Sequence, residues 1–177
     1  MKNLLGKNFV SHYELTASIT VNVVSTSDKQ FDLKDDDALV YPFGNGIAKY
    51  ENPTRKEVNV INYESFLKSL PQSFQQSKKN CDLIVYTTDK QYFLLNELTN
   101  TSKNKSKKQE KAILQMLQVL NDLLAVPSIN EYIQQHKEKR CCFFNKNTSV
   151  ARNYPTHTNQ PHYLFIVDSK KWLIFAN

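Results

Sequence analysis

The chain has 177 residues, a formal charge of +6, a 40% hydrophobic fraction and 11% aromatics. That supports one domain, residues 1–177, with a real core, and excludes a disordered chain. Three glycines with no G-x-G-x-x-G or P-loop pattern argue against a glycine-rich phosphate loop, and three cysteines without C-x-x-C spacing argue against a disulfide framework or a zinc site.

Met1 to Val10 has a short apolar patch but no signal-peptide core, and no apolar run is long enough to cross a membrane. The expectation is a soluble, cytoplasmic protein with reduced thiols. Leu15 to Val24 is rich in alternating β-branched residues and predicts a strand. Phe31 to Leu39 carries Asp32, Asp35, Asp36 and Asp37 and predicts a turn or loop. Leu39–Tyr41 and Gly46–Tyr50 flank the turn signal Pro42-Phe43-Gly44-Asn45, which predicts a hairpin. Val58 to Ile61 reads as a short strand or an extended entry into a helix. Asn62 caps a helix from Tyr63, with Phe66, Leu67 and Leu70 on its apolar side and Pro71 as its limit. Gln72 to Asn80 is loop or a further short helix.

Two clear strands follow, Cys81 to Thr87 and Gln91 to Thr99, around Asp89-Lys90. Asn100 to Ser106 reads as a lysine-bearing loop. Lys107 to Val126 reads as a long helix whose apolar arc exceeds half its circumference, so it packs on more than one side. Pro127 breaks it, and Ser128 caps a second helix, Ile129 to His136. Arg140 to Phe144 is a strand, Asn145 to Pro161 is irregular, and Tyr163–Val167 with Trp172–Ala176 closes the chain as a hairpin. Interleaved strands and helices give an α/β or α+β class: a mixed central sheet with flanking helices. Residues 1–61 form a β-rich N-terminal extension.

The chemistry rests on register. If the middle hairpin turns at Asp89-Lys90, residues whose numbers sum to 179 face each other, so Tyr86 meets Phe93, Ile84 meets Leu95 and Asp82 meets Glu97. Opposed residues on one face have Cβ atoms about 4.5–5.5 Å apart. Two carboxylates at that spacing beside an apolar patch repel each other and lose hydration. A shared proton or a divalent cation relieves both, and Mg²⁺ is the hard cation that such oxygens suit. The bland alternative is a pair of acids at a solvated strand end.

Cys-Asp-Leu-Ile-Val-Tyr, a short turn, Phe-Leu-Leu-Asn-Glu-Leu-Thr and a helix carrying Gln115 together resemble the PD-(D/E)XK (restriction-endonuclease-like) nuclease superfamily over about residues 62–144. In that family an Asp opens one strand, an acid-x-Lys ends the next, an upstream helix offers a Glu and a following helix a Gln or Lys. The matching positions are Asp82, Glu97, Glu64 and Gln115. The resemblance implies a restriction-endonuclease-like core acting on DNA or RNA, plausible in defence against foreign nucleic acid. Asp82 and Glu97 would bind Mg²⁺, and Gln115 or Lys111 would orient water or phosphate. Lys103, Lys105, Lys107 and Lys108 would neutralise backbone phosphates, although a solvated loop is the commoner meaning of such a run. Thr99 stands where the family lysine belongs, and a hydroxyl carries no positive charge. Three readings therefore stay open. One is an active metal-dependent nuclease; the second is an inactive nuclease-like module that binds nucleic acid or a protein partner; the third is a structural protein in which the acids are merely exposed.

The remaining candidates are weaker. His12, His136, His157 and His162 are scattered and read as ordinary polar residues. Cys141-Cys142 sit between basic residues and Phe143-Phe144, as on a buried strand. Arg152 to His162 mixes aromatic and polar groups, suited to stacking on a single strand or to a surface loop held by Pro155 and Pro161.

Overall fold

The run Leu83–Thr87 has no polar alternation because both faces of its strand are covered. The computed structural model describes residues 1–16, 19, 21–76, 78–100 and 105–145, with the side chains of 105, 106 and 145 excepted, and the backbone of 152–154, 164–167 and 173–174. The N-terminal patch is helical, a π-helical stretch Leu4–Phe9 running into the turn α1, Val10–His12. The central sheet joins β1 (Val23–Thr26), β5 (Val58–Asn62), β6 (Leu83–Thr87), β7 (Tyr92–Thr99) and β8 (Glu138–Asn145), and is extended by β10 (Leu164–Val167) and β9 (Arg152–Tyr154). β1, β5, β6 and β7 run antiparallel in turn, and β8 lies parallel to β7, so the sheet is mixed. The crossover from β7 to β8 carries α4 (Lys105–Leu124) and α5 (Pro127–Gln134). The two short helices α2 (Tyr63–Lys68) and α3 (Gln72–Gln75) lie between β5 and β6.

The two faces of the sheet bury different partners. Ile84, Tyr86, Phe93, Leu95, Cys141 and Phe143 pack against helical residues such as Phe9, Phe66, Met116, Leu120 and Ile129. Leu83, Val85, Leu94, Cys142 and Phe144 pack against a second sheet of β2 (Gln30–Leu33), β3 (Val40–Pro42) and β4 (Ala48–Glu51) through Phe31, Leu33 and Tyr50. Full burial of each such large side chain stabilises the fold by about 1.5–3 kcal/mol.

Several expected elements differ. Phe31–Leu33 is strand rather than turn: Phe31 stacks on Tyr50 at 5.2 Å, and the buried Asp32 carboxylate accepts from the Gly44 and Gly46 amides. That inserts β2 between β3 and β4, so the expected hairpin across Pro42–Asn45 does not form, and both strands pair with β2 instead. Of the strand expected over Leu15–Val24, Val23 and Val24 lie in β1, which runs on to Thr26, and residues 17, 18 and 20 lie outside the described set. The helix α4 begins at Lys105, earlier than its apolar period indicates. In α5, Pro127 is the first helical residue and Val126 the cap, because a proline at that position loses no helical hydrogen bond. The last two strands do not form a hairpin. β10 lies parallel to β8, while β11 (Leu173–Ile174) lies parallel to β4 in the other sheet. Among the described residues no single helix is long and apolar enough to cross a membrane.

Candidate functional site

The middle hairpin adopts the register expected from its sequence: Leu83 faces Asn96, Ile84 faces Leu95, Val85 faces Leu94 and Tyr86 faces Phe93. Lys90 takes a left-handed conformation, φ 61°, in the turn, and its amide donates to the Thr87 carbonyl. The regular ladder stops one pair short of the acids. Asp82 donates its N–H to the Asn96 carbonyl at 3.0 Å, and its Oδ2 accepts from the Leu98 amide at 2.5 Å. The Asp82 carboxylate is thus anchored to the backbone of β7 one residue beyond Glu97.

The neighbouring helix is fastened to the same residue. Asn62 caps α2 by accepting from the Ser65 amide at 2.7 Å. The Tyr63 and Glu64 amides donate to the Asp82 carbonyl at 2.9 and 3.3 Å. These bonds satisfy free donors of the first helical turn and set Glu64 beside Asp82. Glu64 also pairs with Lys68, one turn on, at 2.9 Å.

A third acid arrives from the second sheet. The loop after β2 is shaped by Asp36, whose Oδ1 accepts from the Ala38 and Leu39 amides and whose Oδ2 accepts from the Tyr41 hydroxyl. This loop presents Asp35, which accepts from the Asn62 side-chain Nδ2 at 3.4 Å and lies close to Glu64. One oxygen from each of Asp35, Glu64 and Asp82 lies within 4.8 Å of the others. Sequence reasoning passed over Asp35, because nothing in a run of four aspartates marks the one that tertiary packing carries to the hairpin.

The electrostatics are those of carboxyls short of cations. Burial pushes Asp82 up to about 7; the Leu98 amide opposes this, Asp35 and Glu64 add to it, and Lys68 offsets a little. Burial, then Asp82 and Glu64, push Glu97 up to about 9, against the field of Lys111. Burial and Glu64 also raise Asp35. The Oε2 of Glu97 is buried and has no hydrogen-bond partner among the described residues. Such a set holds protons or gathers a cation.

The other expected residues fall in distinct places. Lys111 is exposed on α4, and its charge acts on Glu97. Gln115, one turn further along, donates to the Asn80 carbonyl at 2.8 Å. Thr99 ends β7 opposite Asn145. Lys107 and Lys108 lie at the start of α4, while Lys103 and the side chain of Lys105 lie outside the described residues. His157, His162 and most of the 152–162 tract also lie outside them. His136 is a core residue, with Nδ1 donating to the Tyr132 carbonyl. Cys81, Cys141 and Cys142 are buried free thiols, and burial raises all three away from the thiolate.

Asp35, Glu64 and Asp82 each offer one carboxylate oxygen to a point where a metal ion could be held, and carboxylate oxygens are ligands that hard cations accept together with water. Glu97, expected beside Asp82 as a ligand, stands outside this group of three, and the charges of Asp82 and Glu64 reach it. Comparison of the chain with protein-family models, with curated proteins and with solved structures finds no match.

Proposed function

We propose that the protein is nuclease-like: a restriction-endonuclease-like domain that hydrolyses phosphodiester bonds of DNA or RNA with the help of Mg²⁺. The observation that carries this reading is the convergence of Glu64, Asp82 and Asp35 within 4.8 Å, with Glu97 within reach of their charges. The first three acids come from separate elements and meet only in the fold. The mixed sheet, with an antiparallel hairpin leading through a helix to a parallel strand, is consistent with such a core.

Asp82, Glu97, Glu64 and Asp35 would hold the cation. When bound, Mg²⁺ supplies an activated water and stabilises charge on a phosphoryl oxygen. The Leu98 amide orients Asp82, and Asn62 orients both Asp35 and the first turn of α2. Lys111 supplies a positive charge beside Glu97, the charge that Thr99 lacks. The first turn of α4 carries Lys105, Lys107 and Lys108 with no acid. Cations there oppose the helix dipole, and an anionic backbone on that turn relieves them. A role in defence follows from the habits of the family resemblance alone.

The test is cleavage of supercoiled plasmid and of RNA in Mg²⁺ or Mn²⁺. Cleavage is expected, and Asp82→Ala and Glu97→Ala should each abolish it. If neither metal supports cleavage or raises the melting temperature, the reading fails. Thr99 favours a second reading, an inactive nuclease-like binding module. It predicts nucleic-acid affinity that falls with salt and no cleavage, whereas salt-insensitive or absent binding points to a protein partner.

A further inference from the structure

Among the described residues, the segment 78–81 has no strand partner, and its pairing begins where Asp82 donates to Asn96. Two contacts with α4 guide it there. Lys78 Nζ pairs with Asp122 Oδ1 at 2.6 Å, and Gln115 Nε2 donates to the Asn80 carbonyl at 2.8 Å. Asn80 is two residues from Asp82, and Cys81 between them is fully buried. A shift of the Asn80 carbonyl therefore has little slack to absorb it before the Asp82 carboxylate.

We propose that Gln115 is a positioning residue: through the Asn80 carbonyl it sets the path of residues 80–82, and so the seat of the Asp82 carboxylate on the Leu98 amide. This role in the acid site rests on the metal-binding reading above, while the mechanical role does not. The amide nitrogen of Gln115 is committed to a backbone acceptor at full hydrogen-bond strength. It orders the protein around the acids rather than touching water or phosphate. Lys111, four residues earlier, is the α4 residue whose charge reaches Glu97.

The experiment uses the full chain with Gln115→Met, which keeps length and removes the donor, and Gln115→Lys, which restores a donor. Amide hydrogen exchange is followed by NMR in EDTA, and Mn²⁺ binding by calorimetry. In Gln115→Met the Leu98 amide should exchange roughly threefold to tenfold faster, the cost of one weakened hydrogen bond. Amides of Val60 and Leu94, on neighbouring strands, should be unchanged. Mn²⁺ affinity should fall about tenfold, as for residues that orient a metal ligand. Gln115→Lys should recover both. Unchanged Leu98 exchange in Gln115→Met overturns the proposal, and if affinity then still falls, Gln115 meets the ion directly. Uniformly faster exchange at Val60, Leu94 and Leu98 also overturns it, as a general loss of stability. If the wild-type chain binds no Mn²⁺ but Leu98 alone responds, the positioning role stands and the metal-binding reading fails. Should Gln115→Met not fold, Gln115→Asn, which is too short to reach Asn80, gives the same comparison.

Discussion

Replacing Glu97 with glutamine should make the metal-free protein more stable at alkaline pH and leave it unchanged near pH 5. Glu97 keeps its proton in the folded state up to about 9, against 4.5 when free in water. Between those values the folded state binds a proton that the unfolded state has lost. Stability therefore falls as pH rises, by at most about 1.4 kcal/mol per pH unit per proton. From pH 5 to pH 8 the ceiling is about 4 kcal/mol, and water reaching the partly exposed carboxyl brings the expected loss to ~2 kcal/mol. Glutamine mimics the protonated acid and has nothing to ionise, so its curve lacks this contribution. Asp82, raised to about 7, adds a further decline from pH 4 to pH 7 that both proteins retain. The assay is urea denaturation at pH 5, 6, 7 and 8 in EDTA. The expected result is a gap that opens with pH to ~2 kcal/mol in favour of the variant. Parallel curves would show that Glu97 is ionised in the folded protein, and the account of a cation-starved acid site would be lost. Mg²⁺ at pH 8 should close the gap by stabilising the wild type selectively.

His136 acts on the opposite limb. Burial, with Lys90 nearby, lowers it to about 4 from 6.5, so stability falls as pH drops from 6.5 through 4, by up to ~3 kcal/mol. His136→Leu should flatten that acid limb in thermal melts, after an initial loss of about 1 kcal/mol for its bond to Tyr132; an unchanged acid limb would refute it. Gly46→Ala should destabilise by about 2–3 kcal/mol in urea, because a Cβ there would lie 2.3 Å from Asp32 Cβ and 2.9 Å from the Leu33 carbonyl oxygen. Gly44→Ala meets no atom within 4 Å among the described residues, and its cost, about 1 kcal/mol, comes from φ +96°. Equal losses at the two glycines would sink the steric argument.

Local physics settled much of this protein before any tertiary contact. Asn62 caps α2 because its short side chain reaches the Ser65 amide. Pro127 stops α4 because it offers no amide and clashes with the preceding turn. The register of β6 and β7 follows from matching apolar residues across a short turn, which places Asp82 and Glu97 near each other. Other features were decided only by the assembled fold. Phe31 and Leu33 are too few to declare a strand among four aspartates, and they form one because Tyr50 and the back of the central sheet bury them. The distant partners of β10 and β11 are likewise absent from any local pattern. The acid pair itself changed in the same way. Sequence spacing brings two carboxylates to one end of a hairpin. The fold adds Glu64 from a helix capped by the Asp82 carbonyl, and Asp35 from a loop of the other sheet. Periodicity reports only neighbours within one element, and those two acids approach Asp82 through packing between elements.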